Sequence, residues 1–117
     1  MSDVKNHKDL KVWKDSIDFV KNIYEITSKF PKDEIYGLTS QIRRSAVSIP
    51  SNLSEGAARQ TKKEFIQFIH ISLGSLAELE TQIIIAKEIN YVTNIEFDVI
   101  VTKLTEIRKM LLGLNKS

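Results

Sequence analysis

Apolar residues recur at spacings of three and four through four successive stretches of this 117-residue chain, separated by short breaks. That rhythm keeps a side chain on one face of an α-helix and does not suit the two-residue alternation of a strand. In the first stretch Leu10, Trp13, Ile17, Val20 and Tyr24 make one stripe, and Phe19, Ile23, Ile26 and Phe30 an adjacent one. Asp9 is placed to cap its start. The sequence Phe30-Pro31-Lys32-Asp33 ends the helix, because a proline disfavours helical geometry in the residue before it, and Asp33 is placed to cap the next. Helix two is expected from about Glu34 to about Arg59, on Ile35, Leu38, Ile42, Ala46, Ile49, Leu53 and Ala57. Thr61 with Glu64 and Thr93 with Glu96 have the spacing of capping boxes, which start helices three and four. The last helix carries Phe97, Ile100, Leu104, Ile107, Leu111 and Leu114 as an unbroken seam. Short links force sequential helices to run antiparallel, so the expected fold is all-α, an up-down-up-down four-helix bundle. It forms one domain over residues 1–117, with residues 1–8 expected to be loose.

The run from Gln41 to Gly56 keeps its apolar phase on both sides of Pro50, which predicts one kinked helix and not two segments. Proline removes a donor and displaces the carbonyl of Ala46, for which the Ser45 or Ser48 hydroxyl or a water is the expected new partner. Gln41, Arg44, Ser48, Asn52, Glu55 and Arg59 fall on a stripe beside the apolar one. These border positions form a polar seam, suited to stabilising the kink and to pairing with helix three or a neighbouring subunit.

Helix three is apolar on two faces. Phe65, Ile69, Ser72, Leu76, Leu79 and Ile83 make its core stripe, while Ile71, Gly74, Ile85 and Ile89 lie on roughly the opposite side. A helix apolar on two faces is expected to be buried on two faces, so the second set is the candidate oligomer interface. Glu80 falls within the apolar stripe, where a carboxylate needs a partner. Arg43 and Arg44 are the expected ones, in an ion pair that fixes helix register.

Composition excludes several classes. The chain has no cysteine, hence no disulfide, thiol nucleophile or thiolate metal site. The first twelve residues are polar and charged, and no apolar run approaches the roughly 20 residues that span a bilayer, so a soluble cytoplasmic protein without membrane action is expected. Two histidines, His7 and His70, with no HExxH, no carboxylate-histidine repeat and no Gly-rich phosphate loop, leave no catalytic site, metal site or cofactor to expect. Asn52 and Glu55 beside Ser48 and Ser51 have no histidine near them in sequence to act as a base. Net charge is +2, but residues 1–63 hold 12 basic and 8 acidic groups against 5 and 7 in the remainder. The basic half is compatible with a polyanion partner.

The motifs Gln41-Ile-Arg-Arg44, Ser48-Ile-Pro-Ser-Asn52 and Ser54-Glu-Gly56 resemble those of the four-helix-bundle family also called 23S ribosomal RNA intervening-sequence proteins. Leu10-Lys-Val-Trp13, Phe30-Pro31, Glu34-Ile-Tyr-Gly-Leu38 and Gly74-Ser-Leu-Ala-Glu-Leu-Glu80 extend the resemblance over nearly the whole chain. The resemblance implies a ring-like homopentamer. It also implies two settings: reading frames inserted in large-subunit ribosomal RNA genes, and accessory proteins of diversity-generating retroelements, whose relatives bind a reverse transcriptase and nucleic acid.

Three functions follow for weighing. A non-enzymatic nucleic-acid-binding oligomer would use Arg43, Arg44, Arg59, Lys62 and Lys63, the last three clustering where helix two meets helix three. A protein-interaction scaffold would instead hold a partner such as a reverse transcriptase. An enzyme has little to be built from.

Overall fold

Four α-helices account for almost all of the computed structural model, which describes residues 10–115: α1 (Lys11–Thr27), α2 (Leu38–Ala57), α3 (Lys62–Glu88) and α4 (Asn94–Asn115). Each helix packs on its two neighbours around a square, α1 on α2, α2 on α3, α3 on α4 and α4 on α1. Cross-helix bonds give their directions. Trp13 near the start of α1 bonds Ser54 near the end of α2, and Arg43 near the start of α2 bonds Thr27 at the end of α1. Ser72 on α3 bonds the Ile49 carbonyl and Glu78 accepts from Ser45, so α3 runs back along α2. The result is a four-helix bundle with sequential neighbours antiparallel.

The core is built from the expected stripes of α2, α3 and α4. Ile42, Ala46, Ile49 and Leu53 meet Phe65, Ile69, Leu76, Leu79 and Ile83, with Ile100, Leu104, Ile107 and Leu111 closing the square. In α1 the second stripe wins. Phe19, Ile23 and the following Phe30 are buried, whereas Trp13, Ile17 and Val20 are half-buried at the α2 border and Tyr24 is exposed. Two adjacent stripes on one helix cannot both face the middle of a square; the one toward α2 becomes a border.

The entry to α2 differs from the sequence reading. Lys32–Glu34 form a single 3-10 turn, and α2 starts four residues later than Glu34, at Leu38, leaving Ile35 exposed. The cap is Glu34 and not Asp33: its carboxylate oxygen accepts from the Leu38 amide at 3.2 Å. The 3-10 turn leaves Glu34 four residues before Leu38, from where its side chain reaches that amide. At the start of α1, Leu10 occupies the N-cap position with no side-chain bond; Asp9, like residues 1–8 and His7, lies outside the described residues.

The two capping boxes are not equal. Thr93 and Glu96 exchange both bonds, Glu96 N to the Thr93 hydroxyl at 3.1 Å and Thr93 N to the Glu96 carboxylate at 3.0 Å. At α3 only Thr61 caps backbone, and Glu64 takes the Thr61 hydroxyl proton instead. The end of α3 closes with Asn90 in the left-handed region, φ 67°, while Tyr91 N bonds the Ala86 carbonyl and Asn90 N that of Lys87. This is a Schellman arrangement, and asparagine is the residue that best tolerates it after glycine.

At 27 residues α3 is long and apolar enough, by length and composition, to cross a membrane, contrary to the reading from apolar runs. In this fold its length and hydropathy have another source: a core stripe packed on α2 and α4, plus a set of outward isoleucines. The charges that interrupt the run, Glu78 and Glu80, each bond a neighbouring helix.

Candidate functional site

One helix runs unbroken through Pro50, and the polar residues around the proline are spent locally. The Ser48 hydroxyl donates to the Arg44 carbonyl at 2.8 Å, Asn52 Nδ2 to the Ser48 carbonyl at 2.8 Å, and the Ser54 hydroxyl to the Pro50 carbonyl at 3.1 Å. Ser45 donates to Glu78 at 2.9 Å. A hydroxyl carries one proton, so neither Ser45 nor Ser48 serves the Ala46 carbonyl, as the sequence had suggested. Ser54 has a second role that sequence reasoning missed: it accepts the Trp13 indole N–H at 3.0 Å, pinning α1 to α2 beside the proline. An indole has a donor and no acceptor, so a half-buried tryptophan facing a serine-rich helix was the available signal.

In the polar seam the hydrogen bonds of Ser48 and Asn52 stay within α2, Glu55 bonds Arg59 just past its end, and Arg59 reaches α3 by stacking on Phe68. Gln41, Arg44, Glu55 and Arg59 are exposed, and Ser48 and Asn52 are half-buried. Glu55 pairs with Arg59 at 2.7 Å. The Ser48 proton thus lies on a backbone carbonyl, and the Glu55 carboxylate faces Arg59. His70 is exposed on α3, and among the described residues no three histidines and carboxylates converge as metal ligands.

Glu80 finds its partner on α4. Arg108 Nη2 donates to it at 3.0 Å, both side chains about one third exposed, and neither Arg43 nor Arg44 takes part. Periodicity gives the angle of Glu80 on its helix; the neighbour on that side is α4, while Ser72 and Glu78 bond α2. Gln82 is itself 8% exposed, and its Oε1 lacks a hydrogen-bond partner.

The five basic candidates separate into two groups. Arg43 is held by α1: its Nε donates to Thr27 at 2.9 Å, and its guanidinium lies 4.4 Å from the Tyr24 ring centre. Arg44, one residue on, is exposed and its guanidinium has no hydrogen bond or ion pair among the described residues. Arg59, Lys62 and Lys63 come together at the α2–α3 turn, all exposed. Arg59 stacks on Phe68 at 4.9 Å while paired with Glu55, and both lysines are unpaired among the described residues.

On α3 the second apolar face points outward. Ile71, Ile85 and Ile89 are each 46% exposed, Ile84 joins them at the same value, and Gly74 has no atom within 4 Å of where a Cβ would sit. On another side of the bundle, Trp13, Ile17, Val20, Val47, Pro50, Ser51 and Ser54 line a shallow groove of about 230 Å³ between α1 and α2. It continues past Val47 toward Tyr24, Arg43 and Arg44.

The family described as 23S rRNA-intervening sequence protein matches residues 8–113. The chain belongs to that family. A crystal structure of a protein of unknown function from the S23 ribosomal protein family of Bacteroides thetaiotaomicron superposes with a TM-score of 0.84 at 26% identity, over 91% of this chain and 96% of that one. No functionally curated protein matches. Membership in the 23S rRNA-intervening sequence family thus agrees with the four-helix bundle and with the α2 motif around Pro50.

Proposed function

We propose that the protein is a non-enzymatic, self-assembling bundle that binds nucleic-acid backbone at the α2–α3 turn. The observation that carries this reading is the pair of exposed, unpaired lysines, Lys62 and Lys63, beside Arg59 at one end of the bundle. Cations already satisfied by carboxylates gain little from a phosphate; these two have none to give up. Arg43 leaves the site, because its guanidinium is spent on α1. Arg59, stacked on Phe68 and paired with Glu55, adds less than the two lysines.

One such turn is a weak site. Assembly through Ile71, Gly74, Ile85 and Ile89 multiplies it, and the ring of five that the family resemblance implies would present five turns to one polyanion. Binding of this kind releases counterions, so affinity falls steeply with salt and carries little sequence preference. Fluorescence anisotropy with structured RNA and duplex DNA across a salt series tests it. Wild type should bind with a steep salt slope, and Arg59→Ala/Lys62→Ala/Lys63→Ala should flatten it; no binding at about 50 mM salt, where such contacts are strongest, overturns the reading.

A second reading is favoured by the four half-exposed isoleucines: the assembled surface holds another protein, such as a reverse transcriptase, and nucleic-acid contact is secondary. Retention of that partner by the triple variant separates the two.

A further inference from the structure

Two partly apolar surfaces of this chain carry charges of opposite sign. The groove between α1 and α2 is lined by apolar and small side chains, and Arg43 and Arg44 are its only charged residues. From Gln67 onward the outward face of α3 is a ridge of Ile71, Gly74, Ile85 and Ile89 whose full charges are Glu78 and Glu88, both negative. Arg44 and Glu88 have no ion pair among the described residues. The ridge from Ile71 to Ile85 is about 20 Å long and the groove from Trp13 to Tyr24 about 16 Å, at the rise of an α-helix.

We propose that the occupant of the groove is the α3 ridge of a second copy of this chain, with Gly74 opposite Val47 and Glu78 of one copy facing Arg44 of the other. The inference rests on the reading that the chain self-assembles, and specifies which surfaces meet. Ridge against ridge is disfavoured, since it would bring two pairs of carboxylates together without a cation between them and would pack two convex faces. Groove against ridge uses different surfaces of each copy, so contacts continue from copy to copy until a ring closes. Gly74 then has a role: a residue without a side chain in the middle of the ridge lets the neighbour's groove walls approach.

Charge reversal tests the pairing by sedimentation. Arg44→Glu alone, and Glu78→Arg alone, should each shift the assembly toward monomer, because like charges then face each other. An equimolar mixture of the two variants should associate more than either alone, since the groove of each meets a ridge of opposite charge on the other, although a ring of five keeps one like-charged contact. Because the chain lacks cysteine, Gly74→Cys and Val47→Cys provide a second readout. Mild oxidation should give a disulfide dimer in the mixture of the two, and none in Gly74→Cys alone. A Gly74→Cys homodimer, or an assembly that survives both reversals, overturns groove-to-ridge packing while leaving self-assembly standing. A monomeric wild type removes the reading beneath it.

Discussion

Gly56 on α2 lies against Phe68 on α3 so closely that a methyl group at Gly56 would stand 2.7 Å from Phe68 Cβ and 3.4 Å from the Phe65 carbonyl oxygen. The glycine lets the two helices approach where Ile49, Leu53, Phe65 and Ile69 make the core. Gly56→Ala is expected to destabilise by about 1–3 kcal/mol, because a Cβ atom and a backbone carbonyl cannot move aside as a side-chain tip can. Gly74→Ala makes the control. Its new Cβ meets nothing within 4 Å, so removing a mid-helix glycine should stabilise an isolated subunit by roughly 0.5–1 kcal/mol. Urea denaturation of both variants reads the contrast.

The Thr93–Glu96 box gives a pH dependence with a definite sign. The Thr93 backbone N–H donated to Glu96 holds its carboxyl below the usual glutamate value, with the Lys29 ammonium at 3.2 Å acting in the same direction. A depressed carboxyl stabilises the fold above its unfolded value, about 4.3, and loses that contribution as pH falls through the lower folded value. The stability gap between wild type and Glu96→Gln should therefore be full near neutral pH and close in acid. Thr93→Ala, which removes the other half of the box, is expected to cost about 1 kcal/mol.

Tyr91 ties the α3–α4 turn to the α1–α2 turn. Its hydroxyl donates to Glu34 at 2.9 Å, and the other oxygen of the same carboxylate caps Leu38. That bond, with burial and the charge of Glu34 adding to it, raises the phenol above the usual tyrosine value. A raised group contributes below its unfolded value and is lost as pH climbs through the folded one. Subtracting the alkaline absorbance titration of Tyr91→Phe from that of wild type should leave a phenol that ionises above ordinary tyrosine, and the variant should melt earlier at neutral pH.

Glu80 and Arg108 bridge α3 and α4 at 3.0 Å, but with both side chains about a third exposed the pair is screened. A double-mutant cycle to alanine should return a coupling of at most about 1 kcal/mol. A larger value would mean that the pair is buried in an assembled state.

The buried faces of α2, α3 and α4 were legible in the sequence, because Ile42, Ala46, Ile49 and Leu53 can share only one helical face. The same rhythm placed Ile71, Ile85 and Ile89 outward. Rhythm gives an angle around a helix, and it does not say which neighbour stands there; hence Glu80 was assigned to α2 when α4 holds Arg108. It also ranked Trp13 and Tyr24 with the core of α1, since two adjacent stripes look alike until the square is closed. The serines around Pro50 were read as serving the displaced Ala46 carbonyl. Their protons instead go to Arg44, Pro50 and Glu78, choices that depend on rotamers and packing. Of the basic residues, only the structure distinguishes Arg43, spent on Thr27 and Tyr24, from Arg44 beside it, whose guanidinium has no hydrogen bond or ion pair among the described residues.

Sedimentation velocity of the wild-type protein at micromolar concentration, with Ile85→Glu beside it, tests the central claim that the outward face of α3 is an assembly surface. The account predicts a closed oligomer for wild type and a folded monomer for the variant. A wild type sedimenting as a single 13.4 kDa chain contradicts it.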